Sequence, residues 1–148
     1  MKKIVVTRRA LIWWIASIAW IILAVYLSVQ NGDDSALLSD GIASTSFEFL
    51  RRIFPGLRYV RFSLLVRKLA HFAVHAVLAF ALYRASINSS RHRRKGAALA
   101  LTLVIALLVA LIDELIQLEA PGRYSTATDA GINVFGVFAG TFISSIIP

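Results

Sequence analysis

Residues 113–140 read DELIQLEAPGRYSTATDAGINVFGVFAG. This stretch sets Asp113, Glu114, Gln117, Arg123, Asp129 and Asn133 between two runs too apolar to be anything but membrane segments. Polar groups at the rim of a bilayer are costly to bury, so where they occur they hold something together or bind something. The rest of the chain is read outward from this contrast.

Hydrophobic residues make up 58% of the 148 positions, and the mean hydropathy is +0.73. A soluble core cannot absorb that much apolar surface, so the chain is a small polytopic helical membrane protein. The net charge of +8 would suggest nucleic acid in a soluble domain. Here the Lys and Arg residues lie mostly in the connections, where they set topology, and no nucleic-acid partner is expected. The chain has no cysteine, which excludes disulfides, a thiolate nucleophile and a cysteine-based metal site.

The expected fold is all-α: a four-helix transmembrane bundle in one domain, 1–148, with helices at about 10–29, 69–87, 97–118 and 130–147. Lys2, Lys3, Arg8 and Arg9 precede the first. Its twenty residues would span about 30 Å, and the apolar part is too long for a cleaved signal peptide. Trp13, Trp14, Trp20 and Tyr26 are expected to face lipid. The connection 30–66 begins polar and serine-containing, then turns amphipathic at Phe47–Phe54, where Phe47, Leu50 and Phe54 share a helical face. Flanked by Arg51, Arg52, Arg58 and Arg61 and ended by Pro55 and Gly56, it predicts a short helix in the headgroup layer of the first outer loop.

The basic run Arg91–His92–Arg93–Arg94–Lys95 is read as a cytoplasmic anchor, which places both termini inside and the loops 30–66 and 119–128 outside. Localisation to a bacterial cytoplasmic membrane is expected. Whatever the orientation, parity puts the start of the second helix, the end of the third and the start of the fourth on one side. By rise per residue, Asp113 lies roughly 6 Å below that surface, and His71, His75 and Asn133 within about 3 to 9 Å of it. One polar cluster built from three helices and a loop is the economical reading. Lys68, His71 and His75 share one stripe of the second helix, and Asp113, Glu114 and Gln117 cluster at the end of the third. The cations available to the two carboxylates are Lys68, Arg67 and Arg123. Gly136 and Gly140 form a small-xxx-small face for helix packing.

R-K-L-A-H-F at 67–72, D-E-x-x-Q at 113–117 followed by P-G-R at 121–123, then D-x-x-x-N-x-x-G-x-x-x-G at 129–140 together resemble the VanZ-like membrane proteins, a family named for a teicoplanin-resistance protein. The likeness covers most of the chain, with a weaker echo in Ser28, Gln30, Ser35 and Ser39. It implies that Lys68, His71, Asp113, Glu114, Gln117, Arg123, Asp129 and Asn133 are the characteristic polar positions. Two departures stand out: Val74 and His75 occupy the place of a Glu-Tyr pair, and Ile116 that of a second histidine. A mechanism using that tyrosine or histidine has no group for it here.

Three function classes follow. The first is a binding site near the outer membrane face for an envelope lipid or an amphiphilic glycopeptide-type antibiotic, which the resemblance to a resistance family favours. The second is an intramembrane enzyme with Glu114 or Asp113 as base and His71 as partner, for which no established catalytic motif is present. The third is a structural or accessory subunit in which the cluster is a charge-balanced lock. No cofactor is expected. His71 and His75 at i, i+4 with Glu114 have the spacing of metal ligands, but His75 departs from the family pattern and no metal is assigned.

Overall fold

The computed structural model describes residues 7–89, 94–123 and 126–147. Five helices follow one another: α1 Arg8–Val29, α2 Gly32–Ile53, α3 Tyr59–Ser89, α4 Lys95–Glu119 and α5 Ala127–Ile146. Among the described residues there is no strand. Of the five, α1, α3, α4 and α5 are long and apolar enough to cross a membrane. Most of the basic 91–95 run, at Arg91, His92 and Arg93, lies outside the described residues, as do Lys2 and Lys3.

Local chemistry accounts for the helix ends. The Thr7 side chain caps α1 by accepting from the Ala10 amide at 3.1 Å. Asn31 caps α2 in the same way through the Asp34 amide at 2.8 Å. Asp33 and Asp34 in the first turn of α2, with Arg51 and Arg52 in its last, align with the helix dipole. Thr126 caps α5, accepting from the Asp129 amide.

Two elements differ in extent from the sequence expectation. The second span begins at Tyr59 rather than near Leu69. Hydropathy rejects Arg61, Arg67 and Lys68, yet nothing after Pro55–Gly56 breaks the helix. At 31 residues, α3 is about 46 Å long and outruns the hydrocarbon core. The short amphipathic helix at 47–54 is the last part of a 22-residue helix, α2. Gly32, Gly41 and the serines before Phe47 read as loop. The Asn31 cap and the acidic first turn start the helix, and packing on α3 sustains it. Its seam is Ser39, Ala43 and Phe47, buried at i, i+4 and i+8. Phe47 lies edge-on to Tyr59, with ring centroids 5.1 Å apart, and 5.9 Å from Phe62. Tyr59 Oη donates to the Asp40 carbonyl at 3.3 Å, and Ser63 Oγ donates to Asp40 Oδ1. Phe54, expected on that face, caps the helix and is exposed.

The bundle centres on α3, whose most extensive contact is with α5. A Cβ on Gly136 would lie 2.5 Å from the Phe72 carbonyl oxygen, and one on Gly140 would overlap the Ala76 carbonyl. The two glycines let α5 press against the α3 backbone, the close approach that holds membrane helices together without a hydrophobic driving force. Leu78, Ala79, Leu82, Ala106 and Val137 form the buried core, and α1 faces it with Ala10, Ser17, Ala24 and Ser28. Large apolar side chains such as Ile15, Ile22, Leu108, Phe135 and Phe142 point outward, where lipid solvates them.

Two tryptophans expected to face lipid are tied inward. Trp14 Nε1 donates to Ser89 Oγ at 2.9 Å and Trp20 Nε1 to the Val74 carbonyl at 2.8 Å, and both pack on the core cluster. Trp13 stacks edge-on against Phe80. An indole N–H has no partner in hydrocarbon, so it takes an acceptor from the neighbouring helix. Tyr26 is exposed.

Candidate functional site

The α4–α5 turn positions the site. Gly122 holds φ 70°, a conformation glycine adopts without strain. Gly32 sits so close that a Cβ on it would overlap the Gly122 carbonyl, and its amide donates to the Pro121 carbonyl at 2.9 Å. This contact docks the turn on the α1–α2 junction. Arg123 then reaches the end of α1, its Nη1 lying 2.8 Å from the Leu27, 3.2 Å from the Ser28 and 3.4 Å from the Gln30 carbonyl oxygen. A cation on the last carbonyls of a helix satisfies orphan acceptors and complements the dipole. Burial pushes the guanidinium below its ordinary pKa, with Asp113, Glu114 and Asp129 acting in the opposite sense. It remains protonated.

The cluster is built around Asp113, which is 8% exposed. Ser28 Oγ on α1 donates to its Oδ1. On α3, His75 Nε2 lies 3.3 Å and His71 Nδ1 3.8 Å from its Oδ2. On α5, Asn133 Nδ2 lies 3.2 Å from Asp113 Oδ2 and donates to Glu114 Oε1 at 2.6 Å. Four helices therefore converge on two adjacent carboxylates. A proton on His75 Nε2 would make this contact a hydrogen bond to the carboxylate. Its Nδ1 is buried and without a partner among the described residues.

Lys68 and Asp129 form a separate pair at 3.0 Å, with side chains 41% and 20% exposed. Asp129 also accepts from Thr126 Oγ1 at 2.7 Å. Lys68 is thus taken up by Asp129, while Arg123 holds the α1 carbonyls and still feels the charges of Asp113, Glu114 and Asp129. Arg67 makes no ion pair among the described residues.

Beside Asp113 opens a cavity of about 270 Å³ between α1, α2, α3 and α4. Arg67, Arg123, His71, Asp113 and Gln117 line its polar side, with Ala24, Leu27, Leu38, Ile42, Val66 and Val74 opposite. Ser35 and Ser39 of α2 complete the wall. The residues singled out from the sequence are thereby distributed. His71, Asp113, Gln117 and Arg123 face the cavity, Glu114 and Asn133 stand behind them, and Lys68 and Asp129 form the outlying pair. Ser28 and His75 belong to the cluster although neither was among the chosen positions. The depth count already put His75 level with Asp113, and Ser28 stood in the weaker echo after the first helix. Arg67 was counted only as a counter-ion.

No curated protein and no solved structure matches the chain. The VanZ/LLP1 family model matches residues 13–148. That match takes in all four apolar helices nearly end to end, together with every residue of the Asp113 cluster and its cavity, and on it the chain belongs to the VanZ/LLP1 family.

Proposed function

We propose that the chain binds an anionic amphiphile of the cell envelope, head group in the cavity beside Asp113 and acyl chain along its apolar wall. The carrying observation is the placing of Arg67 and Arg123 on one cavity whose opposite side is aliphatic. Guanidinium forks match phosphate and carboxylate geometry, and aliphatic walls take up methylenes at about 0.8 kcal/mol each. The cavity volume is about 270 Å³. That suits a phosphate-sized head with a few methylenes, and it favours an envelope lipid over a whole glycopeptide antibiotic.

In the orientation expected from the flanking charges, the cavity lies near the outer face of the cytoplasmic membrane. There a bound lipid could be withheld from, or offered to, an agent acting on the envelope, which is the form a role in glycopeptide resistance would take. An acid–base enzyme is the second reading, favoured by His71 and Asp113 sharing the cavity at 3.8 Å.

Native mass spectrometry of the detergent-purified protein tests the binding reading. An anionic phospholipid should be retained by the wild type and lost from Arg67→Ala, a change that removes no ion pair among the described residues. Equal retention in the two would refute it. Turnover of the retained lipid, abolished in Asp113→Asn, would move the assignment to the second reading.

A further inference from the structure

His71 on α3 and Asp113 and Glu114 on α4 each offer one ligand atom, all within 4.8 Å of one another. Imidazole with two carboxylates is a donor set that divalent transition ions accept. Both carboxylates are buried, and His71 is nearly so.

A second, separate observation comes from α5. Asn133 is wholly buried, and its carboxamide is turned toward both carboxylates while Oδ1 has no partner among the described residues. Rotating that amide by half a turn exchanges two atoms of nearly equal size. Oδ1 would then stand where Nδ2 does, 3.2 Å from Asp113 Oδ2 and 2.6 Å from Glu114 Oε1. Three oxygens so spaced repel one another in the absence of a cation. Around a cation they are ordinary neighbours, because ligands about 2.1 Å from one ion and at right angles to each other are about 3.0 Å apart. His71 Nδ1, 3.8 Å from Asp113 Oδ2, has to close by only a few tenths of an ångström to reach the roughly 3.4 Å of a tetrahedral pair.

The surroundings of Asp113 point the same way. Ser28 Oγ and His75 Nε2 hold its two oxygens from α1 and α3, as outer-shell partners hold a ligating carboxylate. Among the described residues no Lys or Arg pairs with it.

We infer that His71, Asp113, Glu114 and the Oδ1 of Asn133 bind a divalent first-row transition ion at the back of the cavity. The cation–oxygen bond replaces the two contacts that Nδ2 gives up when the amide turns, and Nδ2 takes the buried position that Oδ1 leaves. His75 serves as an outer-shell group orienting Asp113 and is not a ligand. The inference does not depend on which amphiphile enters the cavity, and it is tested with metal alone.

The protein is purified in detergent on a histidine-free tag, stripped with chelator, and dialysed against Zn²⁺ or Co²⁺. Elemental analysis should return about one ion per chain, and Co²⁺ should show the visible absorption bands of a low-symmetry, four- to five-coordinate site. His71→Ala and Glu114→Gln should weaken binding at least roughly tenfold. Asn133→Asp, which supplies an oxygen without rotation, should retain or tighten it. Far-ultraviolet circular dichroism and gel filtration establish that each variant is folded. Should a variant misfold, the wild-type stoichiometry and Co²⁺ spectrum decide alone. Wild type that takes up no ion, or His71→Ala and Glu114→Gln that bind as wild type does, would overturn the inference.

Discussion

Gly140 is where the fold tolerates least change, and Gly131 on the same helix supplies its control. A Cβ at Gly140 would overlap the Ala76 carbonyl of α3, a backbone atom that cannot swing aside. At Gly131 an added Cβ meets nothing within 4 Å. The same substitution therefore isolates the interhelical contact. Alanine gains about 0.8 to 1 kcal/mol of helix propensity over glycine at either site. At Gly131 that gain stands alone, so Gly131→Ala should be neutral to mildly stabilising. At Gly140 it is opposed by separating α3 from α5, and overpacking of this kind costs about 1 to 3 kcal/mol. Relief requires α5 to move off α3 along a seam shared with Gly136, so the upper part of that range is expected. With the propensity gain subtracted, a net loss of about 1 to 2 kcal/mol should lower the midpoint by about 2 to 8 °C for Gly140→Ala. Thermal unfolding in detergent micelles, followed by the fluorescence of the three α1 tryptophans, reads the difference. Equal midpoints for Gly140→Ala and Gly131→Ala would refute the claim that α5 packs backbone to backbone on α3.

Two further outcomes follow from the hydrogen bonds. A double-mutant cycle of Lys68→Met and Asp129→Asn, read by the same unfolding assay, should give a coupling below about 1 kcal/mol, because the pair is partly solvated. A coupling of several kcal/mol would restore this pair as a lock between α3 and α5. Trp20→Phe keeps the ring and removes only the donor to the Val74 carbonyl, so it should cost about 1 kcal/mol. A wild-type midpoint in that variant would return Trp20 to the lipid-facing role its position in an apolar run suggests.

What could be read in advance tracks how local the cause is. The four spans were legible because hydropathy over some twenty residues depends on no neighbour. The common depth of His71, His75, Asp113 and Asn133 followed from rise per residue and parity alone, and the structure brings all four together. The extent of α2 was not legible. Its start rests on the Asn31 cap, and its continuation on a seam of Ser39, Ala43 and Phe47 whose partner lies on α3. Serine and glycine carry no apolar period, so the pattern is visible only once the partner is known. The tryptophans fail for a related reason: a ring is apolar by composition, but its N–H selects a partner that only packing reveals. Arg123 shows the limit for charges. Proximity to Asp113 and Glu114 in sequence says nothing of the end of α1, to which the turn at Gly122 carries the guanidinium while both carboxylates still act on it.

These placements also separate two roles that a single list of polar residues runs together. Lys68–Asp129 is solvated and joins α3 to the start of α5, so its loss should be felt mainly as a local loosening. The Asp113 group is buried and draws hydrogen bonds from α1, α3 and α5 at once. A purely structural lock at that depth would be served at least as well by apolar residues, since buried polar networks are often neutral or worse for stability than a hydrophobic replacement of the same shape. It would also need no cavity beside it. A cavity with two guanidiniums on its polar side abuts the same carboxylate, and the buried Asn133 Oδ1 is without a partner among the described residues. Both features cost stability and are hard to explain by packing.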